Sequence, residues 1–128
     1  MGVAVGEEVR SVIWLGDSRK RVKDFPPEVR RSLGSALYDA QTGDKAPSAK
    51  PFQGIGSGVF EIALRFKTDA YRAVYAVQIG EQVYVLHAFQ KKSPKGIKTP
   101  KPDIDLIKQR YKEAREHADH DKKQKDRH

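Results

Sequence analysis

The chain has no cysteine. That single absence excludes a disulfide framework, a thiolate metal site and a cysteine nucleophile. No run approaches the roughly 18 apolar residues that a membrane span needs. The N-terminal stretch MGVAVGEEVR carries acids where a secretory leader carries bases ahead of an apolar core. Repeats and low-complexity blocks are also missing ahead of a polar tail. The expectation is a soluble, cytoplasmic protein with no membrane partner.

What is present is charge. Of the 128 residues, 38% are hydrophobic and 33% charged, with a formal net charge of +8. The length suits one domain with a real core, and the apolar fraction is too high for a fully disordered chain. Up to Gly58 there are 9 basic and 7 acidic residues, and beyond it 16 and 10, so most of the excess lies in the second part. An excess of this kind favours a polyanion, either nucleic acid or an acidic protein.

Apolar patterning divides the chain into an α+β order of elements. Val9 to Gly16 (VRSVIWLG) reads as a strand, and Asp17 or Ser18 is placed to cap a short helix over DSRKRVKDF. From Pro27, the positions Val29, Leu33, Ala36, Leu37 and Ala40 recur at helical spacing up to a stop at Gly43. A Gly-, Pro- and Ser-rich loop, DKAPSAKPFQGIGSG, comes next, longer than a mere connection needs. Three strand-like runs then succeed one another, Val59 to Phe66, Tyr71 to Ile79 and Gln82 to Gln90, with turns short enough to demand an antiparallel meander. In the first run Phe60, Ile62, Leu64 and Phe66 share one face, and Glu61, Ala63 and Arg65 the other. In the last, Val83, Val85, His87 and Phe89 alternate with Tyr84, Leu86 and Ala88, as in a central strand. A helix over DIDLIKQRYKEAREHA closes the domain, with Ile104, Ile107, Tyr111 and Ala114 as its apolar stripe. The expected organisation is a flexible N-terminus over residues 1–8, one domain over 9–116, and a polar tail over 117–128, frayed or disordered.

Few residues carry chemistry. GIGSG (Gly54 to Gly58) lacks the strand-before, helix-after context of a phosphate-binding fingerprint, so a nucleotide cofactor is not expected. His117, Asp119, His120 and Asp121 lie on a polar tail with nothing to fix a metal's geometry, so no metal is expected there either. His87 sits within an apolar strand, where a buried, hydrogen-bonded core histidine and a site role are both open. Arg65 and Arg72 lie on hairpin-paired strands and offer planar forks for a phosphate. Alternatively they pair with Glu61, Asp69 or another surface acid. The stretch HAFQKKSPKGIKTPK, from His87 to Lys101, holds Lys91, Lys92, Lys95, Lys98 and Lys101 with no acid among them. Cations at that spacing suit a phosphodiester backbone, with Phe89 and Tyr71 as possible stacking platforms for bases. The plain alternative is a solvated loop.

The order strand, two helices, three-stranded meander and helix comes with WLGDSRKRVKDFPPEVRRSLGSALYDAQTG, KPFQGIGSGVFEI, YRAVYAV and VLHAFQKKSPKGIKTPKPDIDLIKQR. Over roughly Val9 to Arg115 these residues resemble the RelE/ParE superfamily of toxins, and most of all its HigB-type, phage-derived branch. The resemblance implies a RelE-like α+β domain whose twisted sheet is covered on one face by the N-terminal helices and presents a basic concavity on the other. It also implies the toxin of a type II toxin–antitoxin system, neutralised by a helix-turn-helix (HigA-like) antitoxin and oligomeric through it.

The activity implied is a ribosome-dependent mRNA endoribonuclease that needs no metal, the ribose 2′-hydroxyl attacking the adjacent phosphate. Carried onto this chain, Arg65 and Arg72 would hold the scissile phosphate. Lys91 and Lys92 would stabilise charge or protonate the leaving oxygen, and His87 would act as base or acid. Lys95, Lys98 and Lys101 would grip RNA. The sequence departs from RelE itself in having Glu61 and Ala63 where RelE carries lysines, and Ser93 and Pro94 where RelE has a tyrosine. ParE-type members poison DNA gyrase without an RNase site, and a phage-derived RNA-binding or regulatory module without catalysis is a third reading.

Overall fold

The computed structural model of the protein describes residues 9–91 and 99–126. The expected N-terminal segment, Lys92, Lys95, Lys98 and the last two residues lie outside the described residues. The elements run β1 (Val12–Trp14), α1 (Ser18–Lys23), α2 (Pro27–Gln41), β2 (Ala49–Pro51), β3 (Val59–Phe66), β4 (Asp69–Ala76), β5 (Val83–Lys91) and α3 (Lys101–Asp126). They form one five-stranded sheet in the order β1-β5-β4-β3-β2. β1 pairs with β5 in parallel and the other neighbours are antiparallel.

The helical spacing in α2 does what it predicts. Val29, Leu33, Ala36, Leu37 and Ala40 are all buried, against Ile62, Tyr71, Ala73, Tyr75, Val83, Val85 and Ala88 of the sheet. Burying a leucine of this kind stabilises by about 1.5–3 kcal/mol, which holds a helix whose proline start is otherwise uncapped. The opposite sheet face carries a second core in which Val59, Val74, Ala76, Tyr84, Leu86 and Phe89 meet Ile107, Ala114 and Ala118 of α3. The sheet is therefore covered on both faces near β5, not on one face only.

Four expectations change. The long loop after α2 contains a strand: Ala49, Lys50 and Pro51 pair with Ile62, Glu61 and Phe60 at the sheet edge. A proline is tolerated there because an edge strand has one unpaired side. Asp17 and Ser18 make no side-chain cap on α1; Asp17 instead binds Arg21 and Arg110, and the Ser18 hydroxyl donates to the Val85 carbonyl.

The third change is in β5. Its register against β4 shifts between Val74, opposite His87, and Tyr75, opposite Val85, leaving Leu86 as an extra residue. A bulge of this type re-aims the side chains beyond it. Val83, Val85 and Ala88 consequently lie on the α2 side, whereas Tyr84, Leu86 and Phe89 lie on the α3 side. His87, opposite Val74, joins the α3 side.

The fourth is the tail. Residues 117–126 are not frayed: they continue α3 to Asp126. Ala118 is buried one turn beyond Ala114, and His117 Nδ1 lies 2.9 Å from the Tyr84 hydroxyl. The Gln82 amide donates to Asp121 at 3.4 Å and Lys125 meets Glu81 at 2.6 Å. One small apolar residue and three polar contacts fasten a segment whose sequence shows no apolar stripe. No helix among the described residues is long and apolar enough to cross a membrane.

Candidate nucleic-acid interface

Side chains on one face of a strand recur every second residue. The registers of β3, β4 and β5 therefore set three rows across the α3-side face: Glu61, Val74 and His87; then Ala63, Arg72 and Phe89; then Arg65, Ala70 and Lys91. Arg65 and Arg72 thus share a face in adjacent rows, as the hairpin requires. Lys91 joins them from β5.

Arg72 is not waiting for an anion alone. Its Nη1 donates to both carboxylate oxygens of Glu61 at 3.0 Å, with the two side chains 16% and 14% exposed. The Arg72 Nε–H is buried and has no partner. Pairing with Glu61, one of the two readings open from sequence, is what forms. Arg65 is exposed at the rim and Lys91 half-buried at the end of β5. The patch combines a carboxylate, a guanidinium held against it and two flanking cations, a set able to bind a phosphate and move a proton.

His87 is fully buried. Its Nε2 lies 2.7 Å from Asp103 Oδ1, and Arg110 Nη1 approaches its Nδ1 at 3.4 Å. Arg110 can only donate, so Nδ1 accepts and the hydrogen-bond network assigns the neutral tautomer with Nε2–H donating to Asp103. Burial pushes the imidazole below its ordinary pKa, against the opposing pull of Asp103. A general acid or base must reach the reacting atoms, and this ring does not. His87 takes the core role that sequence left open, and the expected catalytic role is withdrawn.

Arg110 itself is buried, and also donates to the Leu86 carbonyl at 3.1 Å and to Asp17 at 2.8 Å. The Arg21 and Arg110 guanidiniums beside Asp17 hold its carboxyl down at about 2. A Cβ on Gly16, whose φ is +54°, would fall onto the Arg110 guanidinium, so the close approach needs glycine. Sequence reasoning missed Arg110, although a charge at i+3 from Ile107 on an apolar stripe is the signal that finds it. Glu61 was read from sequence as an ion-pair partner and as a departure from RelE, not as a site residue, although the strand registers put it on the face of Arg72.

The expected stacking residues are both lost. Tyr71 points to the α2 side, edge-on to Phe25 with ring centroids 4.9 Å apart. Phe89 is on the correct face but stacks on His87 at 5.1 Å and is only 5% exposed. Neither offers a ring face to a base. Lys101 is exposed and pairs with Asp105 at 3.5 Å across one helical turn. Two hollows lined by described residues, each about 500 Å³, flank the β4–β5 turn and share Gly80, Glu81, Gln82 and Lys125. They contain none of the predicted site residues. Among the described residues no group of three or more histidine or acidic side chains is placed to hold a metal ion.

Residues 20–112 match the family described as phage derived protein Gp49-like. No curated protein matches. Among solved structures, the isolated RelE toxin of Escherichia coli is similar over 78% of this chain and 97% of its own, at 18% identity and a TM-score of 0.52. The toxin–antitoxin complex RelBE2 of Mycobacterium tuberculosis matches over 67% of this chain and 95% of that one, at 17% identity and a TM-score of 0.45.

Proposed function

We propose that this chain, which belongs to the phage derived Gp49-like family and has the RelE fold, is the toxin of a type II toxin–antitoxin pair. In this reading it acts in the cytoplasm as an endoribonuclease on mRNA at the ribosome, and a helix-turn-helix (HigA-like) antitoxin neutralises it. The observation that carries the reading is the Arg72–Glu61 pair flanked by Arg65 and Lys91 on one sheet face. It gathers cations around one carboxylate.

The chemistry is an in-line displacement. The ribose 2′-oxygen attacks the adjacent phosphorus, the bond from phosphorus to the 5′-oxygen breaks, and the products end in a 2′,3′-cyclic phosphate and a 5′-hydroxyl. Arg72 and Arg65 bind the phosphate oxygens and stabilise the charge that builds on them. Glu61, the carboxylate of the three rows, accepts the 2′-hydroxyl proton. Lys91 or Lys92 delivers a proton to the leaving oxygen, and Lys95, Lys98 and Lys101 hold flanking phosphates.

Inducible expression followed by mapping of mRNA 5′ ends, with and without translation, tests the reading. New ends that require translation are expected, reduced at least tenfold by Glu61→Gln, Arg65→Ala or Arg72→Lys. Arg65 is exposed, so its loss cannot be ascribed to unfolding. Intact mRNA alongside inhibited supercoiling would overturn the reading in favour of a gyrase target. Harmless expression without a partner would overturn it in favour of a non-catalytic module.

A further inference from the structure

Arg72 and Glu61 do not face each other directly. The register sets Arg72 across from Ala63 and Glu61 across from Val74, so their bond runs along a diagonal of the β3–β4 ladder. It uses a single nitrogen, Nη1, which donates to both carboxylate oxygens at 3.0 Å. The planar fork of Nε–H and Nη2–H, the edge of a guanidinium that matches two oxygens of a phosphate, is not spent on Glu61. Its Nε–H is buried without a partner. Among the described residues the side-chain bonds of Arg72 are the two to Glu61.

A buried donor without an acceptor is costly until an acceptor arrives or the side chain moves. Glu61 has the complementary difficulty. Both of its oxygens lean on one nitrogen and its side chain is little exposed. If Arg72 turns toward an incoming anion, the carboxylate loses that partner, and a charge stranded away from water is strongly penalised. Glu61 therefore competes with any anion for Arg72, unless the anion brings a hydrogen-bond donor of its own to the carboxylate.

Chemistry identifies the anion that does so. A phosphodiester beside a sugar hydroxyl supplies oxygens for the fork and, close by, an O–H for the carboxylate, and a hydroxyl donating to a carboxylate makes a strong bond. In RNA that group is the 2′-hydroxyl, which DNA lacks. A site built to bond a hydroxyl rejects the analogue without it, because its own polar group is then left unpaired.

We propose that Arg72 and Glu61 exchange partners when substrate binds. Arg72 releases Glu61 and turns its Nε–Nη2 fork to the phosphate, while the ribose 2′-hydroxyl takes the place of Arg72 on the carboxylate. The exchange makes Glu61 the residue that selects ribose over deoxyribose at the binding step. This rests on the reading of the patch as a phosphodiester site, and adds a selecting role to the proton transfer assigned to Glu61.

The test uses two dinucleotide analogues in which a methylene replaces the leaving 5′-oxygen, so that neither can be cut. One keeps the 2′-hydroxyl beside the phosphonate and the other has hydrogen there. Dissociation constants are measured for the intact protein, E61Q, E61A and R72K, with urea midpoints confirming that each is folded. The intact protein is expected to favour the hydroxyl analogue by about tenfold or more. Both Glu61 variants should lose most of that preference, and should bind the deoxy analogue more tightly than the intact protein does, because the competing carboxylate is gone. R72K keeps the charge without the fork and should bind both analogues more weakly. Glu61 variants with no gain for the deoxy analogue, the result of a merely structural ion pair, would overturn the proposal. So would an intact protein that binds both analogues equally or neither, or an R72K variant that binds as the intact protein does. Neither analogue reports cleavage. Selectivity in a protein that leaves mRNA intact would refute the endoribonuclease and leave the exchange standing, and cleavage without selectivity would do the reverse.

Discussion

His87 Nε2 and Asp103 Oδ1 lie 2.7 Å apart, and this bond ties a buried position of β5 to the first turn of α3. It also fixes the far end of the lysine-rich connection between them. Asp103→Ala leaves the Nε2–H buried without a partner, which costs about 1–3 kcal/mol. The urea midpoint should drop accordingly, with an unchanged slope. A variant as stable as the parent would show that the bond is replaced by water.

The Arg72–Glu61 pair is held with little solvent contact. Removing one partner strands the other, so Glu61→Ala and Arg72→Ala should each destabilise by about 2 kcal/mol, less than for a fully buried pair. The double variant should recover about 1 kcal/mol of the sum in a double-mutant cycle. Additive losses would mean that the two groups do not act on each other in solution.

Titration should expose two windows. His87 has a lowered pKa in the fold, so the unfolded chain takes up its proton first. Stability is then highest above the ordinary histidine value of about 6.5 and declines as pH falls below it. Asp17, lowered to about 2, contributes stability above about pH 4 that is lost as pH falls from there to about 2; its exposure keeps this effect small. Urea midpoints from pH 7.5 to 5 should show the first decline, and His87→Gln should flatten it.

Gly16→Ala places a Cβ on the Arg110 guanidinium, at a positive φ. Arg110 would have to leave the Leu86 carbonyl, His87 or Asp17. Left-handed strain and the broken bonds together should cost about 2–3 kcal/mol. Thermal melts of G16A and R110M measure the effect and should fall by similar amounts.

Truncation after Glu116 removes Ala118 and the contacts of His117, Asp121 and Lys125 with the β4–β5 end of the sheet. A loss of about 2 kcal/mol is expected from one buried methyl and the exposed Tyr84 hydroxyl. No loss would restore Glu116 as the end of the folded unit.

What sequence revealed and what it hid have physical causes. α2 was legible because five buried positions recur at a helical period, and the β3–β4 hairpin because β3 alternates apolar with polar residues and the turn to the apolar run of β4 is short. Ala49–Pro51 was hidden because three residues are too few to show a period. The end of α3 was hidden because polar contacts hold it. At the candidate site, Arg65 and Arg72 could be placed on one face by counting along the strands. The bulge at Leu86 could not be foreseen, since it changes facing without changing composition. Tyr71 and Phe89 were misjudged because an aromatic ring serves a core as readily as a nucleobase.

The parallel pairing of Val12–Trp14 with Val83–Val85 joins the earliest strand described to the last. During synthesis β1, α1 and α2 emerge with no sheet to complete, since β5 lies between β1 and β4. Pairings of such long sequence separation form late and slowly. A nascent chain therefore carries its positive helices well before Arg65, Arg72 and Glu61 acquire their fixed arrangement. A protein proposed to disable the ribosome gains its working surface only after β5 has been made and has joined the sheet.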